Sequence, residues 1–317
     1  MSASLAASAS RATRTLPAVL CLMLAACPGG AAAEPAAPDG APSELRAPAG
    51  PEALVPPALP TERRPVRPGE TSLWRVRFGL GASTMRLGGL EHFADPSVNH
   101  FAGESANFYG IKPGPTERRN INFSLVEAVE ASFQVDPLVS VAMKVASLRS
   151  QRGTLRTIAQ GTGTRLEDSW DFSTEMVLVM AGAGFNMPLD ERLRLNITLF
   201  VGAGFGTVNI DHRWRIDLPA GADARAGAAE GTGTAFIPEF TMELERDLTE
   251  SLAVGAGLGY RFGGIETFES RYGSTLNPES NTHPQFEAGW PIRNTSRTLL
   301  TADYGGLILI LFFTARG

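Results

Sequence analysis

The sequence predicts an all-β chain, specifically an eight-stranded antiparallel up-and-down transmembrane β-barrel with short periplasmic turns and four long extracellular loops. Three observations predict it. Apolar residues recur at every second position over segments of about ten residues. Short and long connections between those segments alternate strictly along the chain, and the sequence opens with an export signal.

In a strand, successive side chains face opposite sides, so each period-two segment carries one apolar face and one small or polar face. The clearest runs Leu193, Leu195, Ile197, Leu199, Val201, Ala203, Phe205, interleaved with Arg194, Asn196, Thr198, Phe200, Gly202 and Gly204. A second runs Leu252, Val254, Ala256, Leu258, Tyr260, Phe262 against Gly255, Gly257, Gly259 and Arg261. Trp74 to Leu80 and Val139 to Ala146 repeat the pattern, as does Phe123 to Val135, interrupted at Glu127 where a bulge or a shift of face would fit. Phe236, Phe240, Met242 and Leu244 alternate with Glu239, Glu243 and Glu245, and Pro238 there withholds a ladder donor, which suits a strand rim. The stretches 172–187 and 298–313 are almost continuously apolar and complete a set of eight.

The connections around Asp136-Pro137, Pro188 to Glu191 and Arg246 to Glu250 have tight-turn compositions. The other four, 86–119, 149–170, 209–234 and 264–297, are long and polar. Hairpins of this kind gather short turns at one end of a sheet and long loops at the other, the asymmetry of outer-membrane barrels.

Composition bounds the alternatives. Hydrophobic residues make up 43% and charged residues 19% of the 317 positions, yet beyond the leader no apolar run reaches the eighteen residues that a membrane helix needs, which excludes a polytopic helical protein. A formal net charge of -5 excludes the basic excess of a nucleic-acid binder. Both cysteines, Cys21 and Cys27, lie in the first thirty residues, so the remainder forms neither a disulfide nor a thiolate site.

The chain divides into three parts. Residues 1–27 have the n-region and apolar core of a secretory signal peptide. Their end, Leu24-Ala25-Ala26-Cys27, reads either as a lipobox in which Cys27 is lipidated, or as part of a leader cleaved after Ala31-Ala32-Ala33. Residues 28–70 hold eleven prolines among forty-three residues and form a disordered Pro/Ala-rich linker, a spacer or a point of periplasmic contact. Residues 71–317 form the barrel.

Orientation follows from where the charges fall. If the apolar faces meet lipid, a lumen charge network is enclosed: Arg75, Arg77, Glu130, Lys144, Glu175, Arg194, Glu239, Glu243, Arg261 and Asp303. Both signs are present, so the enclosed ions can pair, as buried charges must. Ten alternating residues match a tilted span of the hydrocarbon layer better than an average soluble strand.

In strand count, loop alternation and the terminal strand Leu307-Ile-Leu-Ile-Leu-Phe-Phe313, the chain from 71 to 317 resembles the small eight-stranded outer-membrane barrels of the OmpA, OmpX and OmpW type. The resemblance implies outer-membrane localisation in a Gram-negative bacterium, a porin-like cell-envelope fold, and recognition of the terminal strand by the barrel-assembly machinery. Thr314 to Gly317 depart from it, because such chains usually end on the aromatic residue.

Two functions from different classes follow. One is a structural or recognition barrel presenting loops outward, with an envelope-complex partner at the tether; the other is a narrow OmpW-like channel for small or apolar solutes. Eight strands enclose only side chains or one small ligand. The glycines Gly202, Gly204, Gly206, Gly255, Gly257 and Gly259 either leave a narrow cavity or make room for a plug. A lipid-modifying hydrolase ranks third. His92, His100, His212 and His283 all fall in the long connections without metal-motif spacing, so no catalytic residue, metal or cofactor is assigned. Arg149, Arg152, Arg156 and Arg165 face either lipopolysaccharide phosphates or water, and the aromatics Phe93, Phe101, Phe108 and Tyr109 either form an exposed binding surface or cap the barrel mouth.

Overall fold

The computed structural model describes residues 74–85, 88–119, 121–274, 286–294 and 297–317, all within a compact unit spanning Arg64–Gly317. The leader, Cys27, the proline-rich segment 28–70 and His283 lie outside the described residues. The elements are β1 (Trp74–Thr84), α1 (Gly88–Tyr109), β2 (Glu117–Arg119), β3 (Phe123–Asp136), β4 (Val139–Ser150), β5 (Gly153–Gly161), β6 (Thr164–Pro188), β7 (Leu193–Leu218), β8 (Gly221–Asp247), β9 (Leu252–Arg261), β10 (Gly264–Ile265), β11 (Glu269–Ser274), β12 (Ala302–Asp303) and β13 (Gly306–Arg316). No helix among the described residues is long and apolar enough to cross a membrane, which leaves strands untested on that point.

Eight strands close into a ring, each antiparallel to its neighbours: β1, β3, β4, β6, β7, β8, β9, β13 and back to β1. Three tight turns gather at one end, each with a side chain satisfying its backbone. Asp136 accepts from the Leu138 amide at 3.1 Å, Asp190 from the Arg192 and Leu193 amides at 2.7 Å each, and Thr249 from the Leu252 amide at 3.0 Å. Strand order and turn placement therefore follow the sequence pattern.

Two of the four expected long loops are strand instead. Segment 209–234 is the continuation of β7 and β8, paired without a register shift from Leu193↔Arg246 to Leu218↔Gly221. Segment 149–170 is the end of β4, then β5 folded back on the first part of β6, from Gly161↔Thr164 to Gly153↔Phe172. The reason is visible along β7. From Leu195 to Phe205 its apolar side chains point outward, with Leu199, Val201 and Phe205 exposed, while Asn196 and Thr198 are buried inside. From Thr207 onward the outward residues are Asn209, Asp211, Arg213, Arg215 and Asp217, and the buried inward ones are Val208, Ile210, His212 and Ile216. The period of two never stops, but the apolar face changes sides, and a search for an outward apolar face ends at Phe205. β6 keeps a mainly apolar interior, broken by the buried Asp168, Thr174 and Asn186, and loses its apolar exterior at Glu175, beyond Val177.

The first connection, expected as a loop, also holds a helix. In the 22-residue helix α1, Phe93, Ala94, Ser97, Val98, Phe101 and Ser105 are buried and recur at helical spacing. Phe93 meets Trp170 edge-on at 6.3 Å between ring centroids. The stripe hides in a segment with Pro96 and Gly103 inside it, so local propensity argued against a helix that tertiary packing supports.

Glu127 neither bulges nor changes face: β3 pairs with β4 in register from Ser124 to Gln134, and the one shift lies between Gln134 and Asp136. Pro238 sits where β9 leaves β8; its carbonyl accepts the Phe262 amide at 2.9 Å, and its missing donor removes only the reciprocal bond at the end of that ladder. β13 runs past Phe313 to Arg316, pairing Arg316 with Arg75 of β1.

Candidate functional site

The interior of the ring is built in layers, starting from the turn end. Arg75 donates to Asn186 and Gln134, each at 3.3 Å. Arg316 pairs with Glu245 and, at 2.6 Å, with Asp247, which also holds Arg194 at 2.9 Å. One turn of the ladder deeper, Arg77 bridges three carboxylates: Glu130 at 3.1 Å, Glu243 at 2.5 Å and Glu245 at 3.1 Å. Deeper again, Glu239 takes Lys144 on one oxygen at 2.5 Å and Arg261 on the other at 2.6 Å. All of these except Arg194 and Asp247 are buried, and the partners come from strands far apart on the ring, so the ion pairs cross its interior.

Eight of the ten residues assigned from sequence to this network therefore face the interior, with Arg194 at its rim. Glu175 and Asp303 do not. Glu175 is exposed on the outer face of β6, because both faces of that stretch are apolar and its phase is not legible from alternation. Asp303 is exposed in the short strand β12, ahead of β13, where its carboxylate accepts the Gly305 amide at 2.8 Å. Sequence reasoning missed Arg316 and Asp247, and placed Glu245 on the same face as Glu239 and Glu243 without counting it in the network. Arg316 was readable, since Phe312, Thr314 and Arg316 continue the period of two beyond the apolar run that marked the strand.

Above the ionic layers the interior becomes apolar. Lys144 lies over the Phe200 ring and Arg77 over the Phe312 ring, each 5.1 Å from the centroid. Met176, Leu178, Met180, Ile237 and Ile310 continue the filling. The connection between β9 and β13 then enters the ring from the other end and contributes Ile265, Phe268, Ile292, Leu300 and Tyr304 to the same buried cluster, with α1 packed beside them. The interior glycines are spacers for this filling. A Cβ on Gly255 would sit 2.3 Å from the Phe312 ring, one on Gly206 2.3 Å from Ile265, and one on Gly257 2.8 Å from Glu243. Tyr304 hydrogen-bonds Thr174, and burial pushes its hydroxyl up to about 12.

The three described histidines do not come together: one is buried in the ring and two lie on α1. His212 is buried against Asp168, with 2.6 Å between Nε2 and the carboxylate, and stacks on Trp170 at 3.7 Å. His92 and His100 pair with Asp95 and Glu104 of α1 at 3.2 and 3.0 Å. Phe93 and Phe101 are buried on the inner face of α1, whereas Phe108 and Tyr109 at its end are exposed.

Outside, on the extended hairpins beyond Phe205, a cleft of about 530 Å³ is lined by Arg156, Arg165, Arg213, Arg215, Arg225 and Trp214, with Glu167 and Asp217 among them. Cross-strand pairing assembles it: Ser169 stands opposite both Arg156 and Arg213, and Glu167 opposite Arg215. Arg156 donates its Nε to Glu167 at 2.8 Å and Arg165 an Nη at 3.1 Å, and the hydrogen bond from Arg156 holds the Glu167 carboxyl below its ordinary range. Arg225 lies over Trp214 at 5.6 Å. Arg152 instead pairs with Asp171 at 2.7 Å, and Arg149 stands opposite Glu175 on the outer face.

Fold and interior together define a closed antiparallel ring with an ionic and apolar filling and an apolar outer belt. No protein-family model matches this chain, and no curated relative matches it. Among solved structures it aligns with Ail, the attachment invasion locus protein of Yersinia pestis, at 11% identity and a TM-score of 0.30, over 77% of this chain and 98% of that one. It also aligns with an outer membrane channel from Pseudomonas putida F1 at 7% identity and a TM-score of 0.23, over 80% and 99% of the two chains. Scores this low carry no inference about function.

Proposed function

We propose that this chain is a non-enzymatic outer-membrane β-barrel with a closed interior, which anchors and presents its extended hairpins for recognition outside the cell. The observation that carries the reading is the change of apolar face along β7. One uninterrupted strand can bury polar side chains and expose apolar ones over half its length, then do the reverse, only if the medium outside the ring changes from oil to water. The outward belt from Leu195 to Phe205 covers ten residue steps, about 25 Å across the membrane at the usual strand tilt. The leader supports export, and the terminal strand supports recognition by the barrel-assembly machinery.

The channel reading is the weaker one. Ion pairs fill one half of the interior and apolar side chains the other, so an entering solute would have to displace both. Purified protein reconstituted in planar bilayers is expected to stay electrically silent while showing a heat-modifiable gel shift. Steady single-channel openings would overturn the closed barrel, and a detergent-free monodisperse monomer would overturn the membrane reading altogether.

A further inference from the structure

We propose that the arginine-lined cleft binds phosphate groups on the core saccharide of outer-leaflet lipopolysaccharide. The inference rests on the membrane reading above and adds a ligand and a site to it.

Direction, height and charge argue for it. Arg156, Arg213 and Arg215 project on the same outward face as Phe205 and Val177, so the cleft opens sideways, along the surface continuous with the apolar belt. A soluble partner approaching from above would meet α1 and the hairpin tips instead. Arg213 stands eight residues beyond Phe205, which at the usual rise and tilt is about 20 Å above the edge of the hydrocarbon. That is the level of sugar, beyond the acyl chains. Four outward arginines, Arg156, Arg165, Arg213 and Arg215, against Glu167 and Asp217 leave the cleft cationic, while Arg225 stands on the other face over Trp214 and pairs with Asp223; guanidinium groups suit the oxygens of a phosphate.

The arginines keep donors to spare. Arg156 and Arg215 spend their Nε groups on Glu167 and Asp217, at 2.8 and 2.9 Å, and their terminal nitrogens remain for a ligand. Arg213 is exposed and makes no ion pair among the described residues. The resident pairs are solvent-exposed and weak, so a multiply charged ligand can replace them at little cost.

The test uses the full chain in detergent micelles, titrated with purified lipopolysaccharide, with the same material stripped of phosphate, and with dextran sulfate. R156Q/R213Q/R215Q is expected to weaken binding of intact lipopolysaccharide by roughly 10- to 100-fold, on the scale of three exposed charge contacts. Phosphate removal should weaken binding by the parent equally and the variant little further. E167Q, which frees donors on Arg156 and Arg165, should tighten it. Unchanged binding by the triple variant, equal binding of phosphate-free material, weaker binding by E167Q, or binding of dextran sulfate alone each overturns the proposal. The heat-modifiable shift, read on the same samples, separates the two claims: if the parent lacks it, the barrel reading fails; if every sample shows it while binding is unaltered, only the cleft assignment fails.

Discussion

Glu239 offers the sharpest test of the enclosed ionic layers. Its carboxylate holds Lys144 at 2.5 Å and Arg261 through two nitrogens at 2.9 and 2.6 Å, and all three side chains are almost wholly inaccessible to solvent. E239Q keeps the shape but strands two cations in the interior. Breaking a buried pair from one side costs about 3–5 kcal/mol, which is a shift of roughly 100- to 5000-fold in the folding equilibrium. Replacing all three by apolar residues, as K144M/E239L/R261M, should be near neutral or stabilising by about 1–4 kcal/mol, because the desolvation cost disappears with the charges. Reversible urea unfolding in lipid vesicles, followed by the gel shift, measures both. If E239Q lies within about 1 kcal/mol of the parent, in the range of exposed pairs, the layer is hydrated and the account of a filled interior is wrong.

Other substitutions probe other parts of the ring. E127L should stabilise the protein in vesicles by about 1 kcal/mol or more, since the carboxylate faces outward from β3 within the belt, where charge is unfavourable; an unchanged midpoint would place the belt's edge below Glu127. G255A should cost about 1–3 kcal/mol, because its Cβ meets Phe312 at 2.3 Å and the Leu244 carbonyl at 2.5 Å, and wild-type stability would mean that the interior has slack there. Tyr304, raised to about 12, should ionise after ordinary tyrosines in an ultraviolet titration. A raised value means that its contribution is whole below about pH 10 and is lost as pH climbs towards 12; Y304F should abolish this late phase, and its persistence would assign the phase elsewhere.

Several decisions are legible in the sequence alone. Alternation from Leu193 to Phe205 and from Leu252 to Phe262 sets strand identity and, with the turn residues Asp136, Asp190 and Thr249, the order of strands around the ring. The same alternation places Arg77, Lys144, Glu239, Glu243 and Arg261 on one face, because period two is a local property of extended backbone. Which ions meet is not local. Arg77 reaches Glu243 across the ring, and only closure brings them together. The phase of β6 was also beyond reach: an apolar exterior against an apolar filling erases alternation, so Glu175 was assigned inside. The extended hairpins and α1 escaped for a related reason. Their apolar residues face inward, some onto the connection between β9 and β13 and others, such as Leu166 and Ile216, onto Phe101 of α1, and a sequence cannot show that a distant segment will fill a cavity. Local chemistry thus determined the strands and their faces, while three-dimensional closure decided the ion partners, the filling and the cleft, because those depend on residues that only the finished ring makes neighbours.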